Sequence, residues 1–146
     1  MMRQPDGETG EPRVEVTQTS CAGNGGDWRI VWRITNRTTS EMRFLDARFP
    51  HGQFRSGLRE LVDFRIAPSG STDLEAVVAC KGSDGVVVEN TFLIATVEWR
   101  QVLWRILARM TVRFSADGSP SAATELVTAQ RVGFSGPGGR EKAPGA

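Results

Sequence analysis

The chain predicts an all-β fold, an antiparallel β-sandwich of roughly seven to eight strands. Three observations carry that prediction. Apolar residues recur with period two along the middle of the chain, and no window keeps a helical period for several turns. Clusters of Gly, Asn, Asp, Ser and Pro interrupt the alternation at about the spacing of short antiparallel strands. The 146 residues suffice for one domain that buries roughly two thirds of its unfolded surface. With 39% hydrophobic residues and 16 glycines besides, the composition is that of a globular protein needing neither metal nor disulfide to fold.

Taken in order, residues 1–12 are polar and without periodicity and are expected to be disordered, as is the Gly- and Pro-rich tail 136–146. Residues 13–135 form the single β domain. Its first strand is Val14 to Ser20, closed by the turn Gly23-Asn24-Gly25-Gly26-Asp27. The clearest strand follows, Trp28 to Thr35, with Trp28, Ile30, Trp32 and Ile34 on one face and Arg29, Val31, Arg33 and Thr35 on the other. Asn36 to Ser40 turns the chain into Met42 to Phe49, which Pro50 halts.

Residues 50–60 show no clear alternation, which makes them the expected location of any local function. Strands resume at Leu61 to Ile66, turn at Ala67-Pro68-Ser69-Gly70, and continue through Ser71 to Cys80, where the alternation puts Cys80 in the core. Beyond Lys81 to Gly85, Val86 to Trp99 and Val102 to Phe114 make a long hairpin about Arg100-Gln101, the spine of the predicted fold. Asp117-Gly118 favours a primed turn into the last strand, Ala122 to Val132.

Short strands at this spacing, with Trp28 and Trp32 on an early one, resemble an immunoglobulin-like or fibronectin-like sandwich in which two sheets pack face to face. The resemblance covers residues 13–134 at the level of fold and names no sequence family. Without tyrosine the chain lacks a tyrosine corner, and Cys21 and Cys80 fall at predicted strand ends. A closed antiparallel barrel is the alternative, because the same alternation serves both shapes.

Charge narrows the functional classes. With 18 basic and 17 acidic residues the net charge is +1, so no global field draws the chain to nucleic acid or anionic lipid. Lys occurs only at Lys81 and Lys142 and Tyr not at all, a skew read as codon bias in a GC-rich genome. No apolar run approaches the ~18 residues of a membrane span, and the polar first residues do not read as a secretory signal. The expected compartment is the cytoplasm, where Cys21 and Cys80 stay reduced. Asn36-Arg37-Thr38 matches the glycosylation sequon, taken here as incidental.

Catalytic chemistry finds few candidates. His51 is the only histidine, and no Gly-x-Ser-x-Gly elbow supplies a serine partner. His51 and two distant cysteines fall short of a zinc site, the aspartates follow no calcium-loop spacing, and the glycine clusters precede no helix that could cradle phosphate. No metal or cofactor is expected.

Trp28, Trp32, Phe92, Trp104 and Phe114 lie on predicted inward faces and read as core. Phe49, Phe54 and Phe134 lie outside clear alternation, and Trp99 falls on the face opposite Phe92. Exposed, these rings would be partner anchors together with His51 and Arg55. The arginines at outward positions, Arg29 and Arg33 on one strand and Arg105, Arg109 and Arg113 on another, would share one anion-binding face if the two strands were neighbours. Otherwise they pair with acids across strands.

The expectation is a non-enzymatic interaction or assembly module that engages a protein partner or itself. Two alternatives stand beside it: a ligand-binding or catalytic pocket near His51 and Arg55, and binding of anions or nucleic acid by the arginine face.

Overall fold

The computed structural model describes residues 10–24, 26–51, 54–56 and 60–133. Among them, strands β1 (Val14–Asn24), β2 (Asp27–Asn36), β3 (Met42–Arg48), β4 (Pro50–His51), β5 (Phe54–Ser56), β6 (Glu60–Ile66), β7 (Ser71–Ala79), β8 (Val87–Trp99), β9 (Val102–Phe114) and β10 (Pro120–Arg131) form two antiparallel sheets. The first sheet has the order β1-β2-β7-β5-β4 and the second β10-β9-β8-β3-β6. The architecture is a β-sandwich, and the predicted long strands fall within a few residues of the observed ones.

Alternation explains the pairing of faces. In β2 every second residue from Trp28 to Ile34 is buried, and in β9 every second residue from Trp104 to Phe114. Each strand therefore buries one apolar face against the facing sheet and turns its arginine-bearing face to water. Trp32 is fully buried and meets Phe49 at 5.4 Å between ring centroids, while Trp99 and Trp104 pack edge to face at 6.3 Å.

Strand β8 reverses the expected assignment. Phe92 is only half-buried and faces outward, whereas Thr91, Leu93, Ala95, Val97 and Trp99 point into the core. Both alternations of this strand are rich in apolar residues, so the pattern alone does not choose a face. A register shift between Val88 and Thr91, with Asn90 at φ 58°, settles the parity the other way.

Turns follow their residues. At the β1–β2 hairpin Gly23 has φ 140°, and a Cβ there would run into the Asp27 carbonyl oxygen. The β8–β9 hairpin turns on Arg100 and Gln101, both left-handed at φ 53° and 67°. At the β9–β10 turn only Gly118 is left-handed, at φ 86°, and the Ser115 N–H bonds the Ser119 carbonyl oxygen at 3.0 Å. This is a three-residue loop with glycine in its left-handed position, not the expected two-residue primed turn.

Where the chain crosses from β2 to β3, a buried polar corner holds the sheets together. Asn36, fully buried, donates through Nδ2 to the carbonyl oxygens of Ser40 at 2.8 Å and Ile66 at 3.1 Å. Its Oδ1 accepts the Thr38 N–H at 2.9 Å and lies 2.7 Å from the Thr38 hydroxyl. Trp99 Nε1 in turn donates to Thr38 Oγ1 at 3.0 Å. Trp32 and Trp104 find no such partner for their indole N–H among the described residues. The apparent sequon is thus a buried turn that ties β2, β6 and β8 together.

The sheets do not close into a barrel. Edges β1 and β10 lie alongside one another, but the contacts between them are made by side chains. Gln18 Nε2 donates to the Pro120 carbonyl oxygen at 3.1 Å, Gln18 Oε1 accepts the Ala122 N–H at 2.8 Å, and the Thr124 hydroxyl donates to the Val16 carbonyl oxygen at 2.7 Å.

Candidate interaction face

The topology separates the two arginine series. Strand β2 belongs to the first sheet and β9 to the second, so Arg29 and Arg33 face the opposite side of the sandwich from Arg105, Arg109 and Arg113. The shared face of five arginines does not form, because the chain changes sheets after β2 and the β8–β9 hairpin stays in the second.

On the first sheet the arginines meet acids from β7. Arg29 Nη1 lies 3.1 Å from Glu75 Oε2, and Arg33 Nε 3.2 Å from Asp73 Oδ1, its direct cross-strand neighbour. The expected cross-strand neutralisation holds there.

On the second sheet it does not. Arg105 sits between Thr96 of β8 and Gln130 of β10, Arg109 between Phe92 and Leu126, and Arg113 between Val87 and Ser121. None of these neighbours is a carboxylate, and none of the three arginines makes an ion pair among the described residues. The acids nearest in register are Glu98, diagonal to Arg105 and 3.8 Å from Arg43 Nη1, Asp46 two strands away, and Glu125 in the bulge of β10.

Apolar side chains complete this face. Leu126 is 49% exposed and Leu103 42%, while Phe92, Ile94 and Leu107 are half-buried around Arg109. Arg48, exposed at the end of β3, lies opposite Ile94. An aromatic ring, leucines and arginines grouped around Arg109, with Glu98, Asp46 and Glu125 at the margins, is the composition enriched at the centres of protein interfaces. Leu103 and Leu107 were visible in the sequence as outward positions of β9; their neighbours Leu126 and Ile94 could not be placed without the register.

The predicted anchors fare otherwise. Phe49 is 1% and Trp99 2% exposed, so both belong to the core and neither offers a ring to a partner. Pro50 to Ser56, expected to be irregular, includes the short strands β4 and β5, in which Pro50 pairs with Arg55 and His51 with Phe54. Arg55 also pairs with Ala79, extending the first sheet beyond β7. The side chains of His51, Phe54 and Arg55, and all of Phe134, lie outside the described residues.

The thiols are held protonated. Burial pushes the Cys80 thiol up to about 11, and burial followed by the nearby Asp117 carboxylate raises Cys21. A thiol in this state is a poor nucleophile near neutral pH. Both cysteines are free, and among the described residues no three His, Cys, Asp or Glu side chains come together as metal ligands. Among the described residues no helix is long and apolar enough to cross a membrane. No protein-family model matches the chain, and neither a curated protein nor a solved structure is significantly similar to it.

Proposed function

We propose that the protein is a non-enzymatic protein-interaction module that presents the outer face of its second sheet, centred on Arg109, to an acidic and partly apolar surface of another protein. One observation carries the reading: the β9 arginines lack the cross-strand acids that neutralise their counterparts on β2, and they are interleaved with exposed leucines. Guanidinium groups match carboxylates in a forked geometry, and apolar neighbours exclude the water that would weaken the contact. A second copy is a poor occupant, since face-to-face pairing would set arginine against arginine. The strand order supports an immunoglobulin-like scaffold: β1, β2 and β7 sheet together opposite β3, β8 and β9, as strands A, B and E oppose C, F and G.

The test is crosslinked capture of partners by the full chain and by two charge-reversal variants. Capture of the same protein should fall at least tenfold in Arg109→Glu/Leu126→Asp and persist in Arg29→Glu/Arg33→Glu. Equal loss in both variants, or none in the first, overturns the assignment. Capture abolished by nuclease would transfer the face to nucleic acid.

A further inference from the structure

The seam between β1 and β10 carries an inference independent of the arginine face. Antiparallel pairing turns successive backbone amides to opposite sides of a strand. On β1 the Val16 carbonyl oxygen faces β10, because it accepts the Thr124 hydroxyl at 2.7 Å, whereas the Arg13 carbonyl oxygen accepts the Arg37 N–H of the β2 side at 2.9 Å. Val14 therefore turns its backbone N–H and C=O toward β10. On β10 the Val132 N–H donates to the Leu103 carbonyl oxygen at 3.0 Å, so Gln130 and Thr128 pair with β9. Ala129 and Val127 turn theirs toward β1.

The two ends of the seam differ. At one end the Gln18 amide stands in for a strand, bonding both a carbonyl and an N–H of β10, with the Thr124 hydroxyl beside it. At the other, among the described residues, no side chain bridges Val14 to Val127 or Ala129. A cleft of about 650 Å³ opens there, lined by Pro12, Arg13, Val14, Val127, Thr128 and Ala129 among others. That volume is within the usual range of binding pockets.

We propose that this open end is a strand-accepting slot, filled by an extended segment of a partner protein that runs antiparallel to β10. Its backbone pairs with Val127 and Ala129, and its small apolar side chains cover these two half-buried residues. A row of alternating donors and acceptors is matched by a peptide backbone, not by a lipid headgroup or a nucleotide. Charge does not argue for a polyanion, because Glu11 and Glu15 accompany Arg13 and Arg37 around the cleft and Arg37 Nε lies 3.6 Å from Glu15 Oε2. A second copy cannot pair edge to edge at β10, since β1 of each copy flanks that edge.

Peptides selected from a random 12-residue phage library against the full chain, then synthesised, provide the probe. They should bind the wild type through alternating β-branched residues and bind Ala129→Pro at least tenfold more weakly. That substitution removes one free-edge N–H and leaves the β9 ladder intact. Arg109→Glu/Leu126→Asp should bind them as the wild type does, which separates the slot from the sheet face. Amide exchange in the wild type gives a readout that does not depend on a variant folding: bound peptide should protect Val127 and Ala129. Failure to select any peptide, or protection elsewhere, overturns the slot.

Discussion

The two outer faces of the sandwich carry arginines at the same fourfold spacing and treat them in opposite ways. On the first sheet Arg29 and Arg33 meet Glu75 and Asp73, and on the second Arg105, Arg109 and Arg113 meet Thr, Gln, Phe, Leu, Val and Ser. Exposed ion pairs contribute only ~0.2–1 kcal/mol each, so the first arrangement adds little to stability. It does remove a reason for that face to attract anything. Leaving three guanidinium groups uncompensated among exposed leucines keeps such a reason in place, and the contrast teaches more about use than either face does alone.

The comparison depends on the corner that holds the sheets in place, and the largest effect is expected there. Asn36→Ala would take a donor from the Ile66 carbonyl oxygen, leave Ser40 with only the Thr38 hydroxyl, and remove the acceptor of the Thr38 N–H. A loss of about 2–4 kcal/mol is expected in urea unfolding. A cost below ~1 kcal/mol would mean that the corner is dispensable and that the faces are set by the apolar core.

A smaller change would convert the second face toward the first. Gln130→Glu places a carboxylate directly opposite Arg105 from the edge strand β10. A gain of a few tenths of a kcal/mol in stability is expected, together with several-fold weaker partner binding. Binding left unchanged would show that Arg105 is a bystander.

The smallest effect concerns the turn joining β9 to β10. Hydrogen bonds from the Ser115 and Ser119 hydroxyls and the Ser119 N–H hold the Asp117 carboxyl down to about 2. Because the folded value lies below the unfolded one, this contribution is complete above about pH 4 and is lost as pH falls through about 2. The difference in urea midpoint between wild type and Asp117→Asn should shrink over that window. A constant difference would mean that the carboxylate charge plays no part in the turn.

Much of the scaffold was legible in the sequence, for reasons that particular strands make plain. β2 and β9 alternate apolar with charged residues, so only one face of each could be buried, and both predictions held. β8 offers two apolar alternations, and the choice between them lay in a bulge that no composition announces. Phe92 and Trp99 exchanged places for that reason.

The candidate face was only half visible. The outward arginines follow from periodicity, but which strand lies beside which decides whether an acid or a leucine stands opposite. That information is long-range: Leu126 reaches Arg109 only through the register of β10. The Gln18 contact across the seam is equally remote, linking residues more than a hundred positions apart.

The burial of Asn36 also bears on how the protein can be made. A glycosylating compartment modifies Asn-x-Thr sites while the chain is still emerging, before any corner exists to hide Nδ2. A glycan added there would occupy a nitrogen that must give hydrogen bonds to Ser40 and Ile66 in a space with no exposed surface. Routed through such a compartment, the chain would be marked at the residue its fold can least spare, and Thr38→Ser would not protect it because the sequon survives.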